Sequence, residues 1–62
     1  MKYRDLIKLI EDDGWYLHET TGSHQQFKHP TQPGRTTVAG KHGKDVPEGT
    51  LKSILRQAGL KD

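Results

Sequence analysis

The chain has no cysteine, so neither disulfide bonds nor a thiolate metal site supplements its core, and hydrophobic packing has to suffice. Apolar material is scarce as well: 29% of the 62 residues are hydrophobic, and the aromatic rings are Tyr3, Trp15, Tyr16 and Phe27. A domain of this length buries only about 60% of the surface its unfolded chain exposes. A single domain over residues 1–62 with a thin core is expected, and its working surface should be shallow, not a deep cleft. No apolar run approaches the roughly 20 residues that span a bilayer. The segment from Met1 to Asp5 opens a helical pattern where a signal peptide would carry an apolar stretch. A soluble cytoplasmic protein without membrane association is therefore expected.

Acidic residues are missing from the middle of the chain. Between Thr20 and Lys44 there is no Asp or Glu, while Lys28, Arg35, Lys41 and Lys44 fall there together with His24, His29 and His42. The net charge is only +2, so the distribution says more than the total. On charge alone a polyanion site and an ordinary solvated surface are equally good readings.

What is present divides cleanly. Tyr3, Leu6, Ile7 and Ile10 recur at helical spacing, with Leu9 widening the stripe. Gly14 is the expected stop, taking a left-handed conformation that lets Trp15 pack back on Ile10. The same device recurs where Leu51, Ile54, Leu55 and Ala58 run up to Gly59 and Leu60. Pro47 suits the first turn of this second helix, and Asp45 with Glu48 resembles a capping box. Between the helices, Thr21-Gly22-Ser23 and Pro30-Thr31-Gln32-Pro33-Gly34 separate three short segments, Trp15 to Thr20, His24 to His29 and Arg35 to Ala39. The expected fold is α+β, a two-layer α-β-β-β-α arrangement in which both helices cover one face of a three-stranded antiparallel meander.

Register follows from the need to bury Phe27. Pairing Thr20 with His24 through a three-residue connection, with Gly22 at positive φ, sets Leu17 opposite Phe27 on the core side. Period 2 then sends His24, Gln26 and Lys28 to the open face with Tyr16 and His18. An imidazole in that position, with a reference pKa near neutrality, is a ready general acid or base.

Other chemistries fit less well. The four histidines lack the paired spacing and cysteine companions of a metal site, so no metal or other cofactor is expected. For His18, His29 and His42 the plain reading is a surface or sheet-edge side chain. Ser23 would point away from His24 if both lay in the strand, which disfavours a nucleophilic pair. A lone imidazole among cations suits transesterification within RNA, where a base takes the 2′-hydroxyl proton and cations stabilise the developing phosphorane charge. The loop Gly40-Lys41-His42-Gly43-Lys44-Asp45 ahead of the second helix is a candidate phosphate contact, or else a plain mobile connection. The candidate RNA contacts are thus Gly22, Ser23, Gln26, Lys28, Arg35, Lys41 and Lys44.

In order along the chain, Gly14-Trp15, Gly22-Ser23-His24, Phe27-Lys28-His29-Pro30, Thr37-Val38-Ala39-Gly40-Lys41 and the long run from Pro47 through Gly49-Thr50-Leu51-Lys52-Ser53-Ile54-Leu55-Arg56-Gln57-Ala58-Gly59-Leu60 resemble the HicA toxin family. The resemblance implies a double-stranded-RNA-binding-domain-like fold. It implies a ribosome-independent mRNA interferase of a toxin–antitoxin pair, and a HicB antitoxin partner that covers the active face. Through Gly22-Ser23-His24 it places the catalytic histidine at His24. The first strand carries His18-Glu19-Thr20 where members of the family carry Arg. Two further readings compete: a non-catalytic RNA-binding module of the same fold, and a small domain that docks a protein through its open sheet face.

Overall fold

A computed structural model of the protein describes residues 1–60; Lys61 and Asp62, the end of the single domain expected over 1–62, lie outside the described residues. The order is α1 (Tyr3–Asp12), β1 (Tyr16–Thr21), β2 (His24–Lys28), β3 (Thr36–Ala39) and α2 (Glu48–Gln57). The strands form one antiparallel sheet in the order β1-β2-β3. One hydrophobic cluster joins Leu6, Ile7 and Ile10 of α1, Phe27 and Val38 of the sheet, and Ile54 and Leu55 of α2. Among the described residues no layer covers the opposite sheet face, and the two-layer α-β-β-β-α fold stands as expected.

Both helices stop at glycine. Gly14 has φ +106°, its N–H donates to the Glu11 carbonyl at 2.9 Å, and the Trp15 N–H donates to the Ile10 carbonyl at 3.1 Å. At α2, Gly59 has φ +74°, and the Leu60 N–H reaches the Leu55 carbonyl at 2.8 Å. This is the double bond pattern by which a left-handed residue satisfies the last helical carbonyls. Leu9, expected to widen the apolar stripe, is instead exposed.

The start of α2 differs from expectation. Pro47 occupies the cap position itself, and no side chain caps the helix. Asp45 is drawn away to Lys2, with which it forms an antiparallel bridge and an ion pair at 3.3 Å. The loop before α2 is also no free connection. The carbonyls of Lys44 and His42 accept the N–H groups of Tyr3 and Arg4 at 3.0 and 3.2 Å, and the Val46 N–H donates to the Met1 carbonyl at 2.8 Å. The first-turn amides of α1, which have no partner within their own helix, are thereby satisfied by the loop.

The register departs from the simplest scheme in an informative way. Thr21 pairs with His24, so the connection is the two residues Gly22 and Ser23, with positive φ at Gly22 alone. That is the pattern of a hairpin turn whose first central residue is glycine. Leu17 still pairs with Phe27, because a bulge between Leu17 and Glu19 absorbs one residue, His18. The expected pairing is thus reached by a bulge and not by a wide turn. One consequence is a change of face: Glu19 and Thr21, opposite Gln26 and His24, take the open side that alternation alone assigned to His18 and Thr20. Leu17 is 46% exposed, since β1 is an edge strand with every residue exposed.

Candidate nuclease face

His24 is the first residue of β2, opposite Thr21 on one side and Ala39 on the other, and it is exposed. Phe27, buried at 1% exposure, anchors the parity of the strand, so His24, Gln26 and Lys28 project together from the uncovered face. Arg35 joins them: its Nη1 donates to Gln26 Oε1 at 2.8 Å. Tyr16 lies opposite Lys28 and is half exposed. The resulting row has an imidazole at one end and two cations at the other, with a hydrogen-bonding amide between them.

The same face holds a carboxylate that alternation alone did not place there. Glu19 lies opposite Gln26, and its Oε2 accepts the Thr21 hydroxyl at 3.2 Å. The bulge at His18 is what brings it round, and a bulge in a wholly exposed edge strand leaves no apolar signature in the sequence. Of the remaining candidates, Gly22, Ser23 and Lys41 line an open cleft at the His24 end of the sheet. Lys44 joins neither group; its carbonyl is held at the N-terminus of α1.

His29, read from sequence as a sheet-edge side chain, is a structural pin. Its Nδ1 accepts the backbone N–H groups of Thr31 and Gln32 at 3.1 and 3.2 Å. Those two donors fix the ring proton on Nε2, which donates to the Asp13 carbonyl at 2.7 Å. Trp15 packs edge-on against the same ring at a centroid distance of 5.3 Å, and its own indole N–H reaches the Ala58 carbonyl at 3.3 Å. One histidine therefore ties the end of α1 to the β2–β3 loop while the other, five positions earlier, stands free in solvent. Among the described residues no three His, Asp or Glu side chains gather to hold a metal ion.

A family model described as the HicA toxin of bacterial toxin–antitoxin systems matches residues 3–60. The chain belongs to the HicA toxin family. Its similarity to individual HicA proteins extends from end to end. A probable mRNA interferase HicA from Pseudomonas fluorescens (strain Pf0-1) is 40% identical over 63 aligned positions that span the whole of both chains. Among solved structures, a chain of a HicA3 and HicB3 toxin–antitoxin complex superposes with a TM-score of 0.79 at 30% identity, over all of this chain and 98% of that one. Among the described residues of this HicA chain, no helix is long and apolar enough to cross a membrane.

Proposed function

We propose that this HicA chain is the toxin of a toxin–antitoxin pair and acts in the cytoplasm as a ribosome-independent, metal-independent endoribonuclease on mRNA, with His24 moving the proton. The observation that carries the reading is the exposed His24 on the uncovered sheet face, in one row with Gln26, Lys28 and the Arg35 guanidinium. The RNA 2′-oxygen attacks the adjacent phosphorus, its proton passes to the imidazole, and the phosphorus–O5′ bond breaks as O5′ takes up a proton. The products are a 2′,3′-cyclic phosphate and a 5′-hydroxyl. Lys28 and Arg35 supply positive charge to offset the negative charge that develops on the phosphorane oxygens, a form of stabilisation that fixed cations give without reorganising. Gly22, Ser23 and Lys41 take the neighbouring backbone, and Lys44 adds charge to the approach.

A HicB-type antitoxin would silence such a site by covering the His24 face. The structural relative, a HicA3 chain solved together with HicB3, supports a partner of this kind. So does a sheet surface that bears half-exposed Tyr16 and no second layer. The test is His24→Ala. Proton transfer of this kind contributes on the order of 10²–10⁴-fold, so the variant should lose that much RNA cleavage and relieve growth arrest on expression. Undiminished cleavage would sink the assignment of His24, whereas no cleavage by the wild-type protein would leave an RNA-binding module.

A further inference from the structure

At the end of the sheet that carries His24, the β1–β2 turn and the β3–α2 loop face one another across an open cleft of about 360 Å³. That lies near the lower end of the roughly 300–1,000 Å³ range of small-molecule sites. Thr20, Gly22, Ser23 and Gln25 form one wall, and Gly40, Lys41 and His42 form the other. Thr20 is opposite Gln25, and Gln25 is opposite the buried Val38. Alternation therefore turns the Thr20 and Gln25 side chains toward the helix side, while His24, next to Gln25 along β2 and opposite Thr21, looks to the open side. The cleft and the imidazole flank the same sheet end, one residue apart in the chain.

The far wall is held in place. Its His42 carbonyl accepts the Arg4 N–H at 3.2 Å, and Gly40 lies so close on the Tyr3 ring that a Cβ there would overlap it. The groups that line the cleft are an amide with adjacent donor and acceptor, two hydroxyls, an imidazole ring and an ammonium. Such a set suits an unpaired nucleobase: glutamine pairs through its amide with the N6/N7 edge of adenine, histidine offers a face for stacking, and lysine meets the phosphate. Gln26, by contrast, is engaged by Arg35 on the open side.

We infer that the cleft receives the nucleobase next to the phosphodiester cleaved at His24, and that Gln25 selects adenine there; the inference rests on the nuclease reading of His24. A single RNA strand that crosses this end of the sheet sets its phosphate against the imidazole and turns the adjoining base into the cleft. Cut sites chosen by the wild-type protein on a long unstructured RNA should then adjoin adenine, with a preference of about 5- to 150-fold, the span of one bidentate amide–base pair. In Gln25→Ala the ratio of cutting at adenine to cutting at other bases should fall toward one. Gln25→Glu, which keeps the side chain's size but only accepts hydrogen bonds, should move the ratio toward cytosine, whose N4 donates.

Binding of short oligonucleotides to His24→Ala protein provides the second readout. Adenine at the cleft position should bind more tightly than an abasic residue, and adding Gln25→Ala should erase the difference while circular dichroism shows a folded domain. An unchanged cut-site ratio in the Gln25 variants, or equal binding of adenine and abasic oligonucleotides, overturns the inference. Continued cleavage by His24→Ala would instead overturn the placement of the chemistry at His24, and no cleavage by the wild-type protein would overturn the nuclease reading, so these failures are distinguishable from that of the inference.

Discussion

Replacing the two histidines of β2 and its exit loop one at a time should separate chemistry from architecture. In His29→Ala the Asp13 carbonyl loses its donor, and the amides of Thr31 and Gln32 lose their common acceptor. A hydrogen bond of this kind contributes about 0.5–1.5 kcal/mol, and the edge-on contact with Trp15 adds about 0.5–1.5 kcal/mol. Because these groups share one ring their effects are not additive, and a loss of about 3 kcal/mol is expected. At about 0.05–0.15 kcal/mol per residue, a domain of 62 residues has a total of roughly 3–9 kcal/mol to lose from. Each kcal/mol moves the midpoint of so small a domain by about 4–8 °C, so His29→Ala should melt roughly 10–25 °C lower. His24 is exposed, and an exposed substitution usually changes stability by less than about 0.5 kcal/mol. The assay is a thermal melt followed by circular dichroism, with RNA cleavage measured well below both midpoints. His24→Ala should melt like the wild type and cleave 10²–10⁴-fold more slowly, whereas His29→Ala should melt early yet cleave while folded. If His24→Ala melted as early as His29→Ala, its lost cleavage would reflect unfolding and the division of labour would be refuted.

The glycines offer a second contrast. Gly14→Ala places a Cβ 2.5 Å from His29 Nε2 at φ +106°, while Gly22→Ala meets nothing within 4 Å at φ +59°; urea midpoints should show a cost of about 1–2 kcal/mol for Gly22→Ala, the strain of the left-handed region alone, and a larger one for Gly14→Ala. The Thr36 hydroxyl is fully buried without a hydrogen-bond partner among the described residues, so Thr36→Val should raise the same midpoint through a stability gain of about 1 kcal/mol, and an unchanged or lower midpoint would show that the hydroxyl is satisfied in solution. Lys28→Ala should weaken RNA binding for all sequences alike and reduce the slope of log K against log salt by about 0.7, the increment for one phosphate contact on a single strand; an unaltered slope would remove Lys28 from the interface.

The helix ends were legible because each is written in adjacent residues: Gly14-Trp15 and Gly59-Leu60 carry both the left-handed glycine and the apolar residue that folds back. The His24 row was legible for a similar reason, since Phe27 is the one large apolar residue in β2 and fixes which alternate residues face out. Strand β1 offered no such anchor. All six of its residues are exposed, so nothing in the pattern from Tyr16 to Thr21 marks the bulge, and the side taken by Glu19 could not be read. The role of His29 was equally hidden, because its partners are backbone groups brought together by the tertiary fold and carry no residue identity. Asp45 looked like a cap because Glu48 follows at the right spacing, but Lys2, distant in sequence, engages it instead.

Trp15 is the chain's single tryptophan, and its 2% exposure, its bond to Ala58 and its contact with His29 make it a built-in optical probe of one junction. Its emission should be that of an indole shielded from water and should shift to longer wavelength only when the ends of α1 and α2 part. A ligand that lies flat on the open sheet face touches the other side of the domain and should leave that signal unchanged. A fluorescence change on adding RNA or antitoxin would therefore report strain carried through the sheet into the helical layer, a property that cleavage assays do not register.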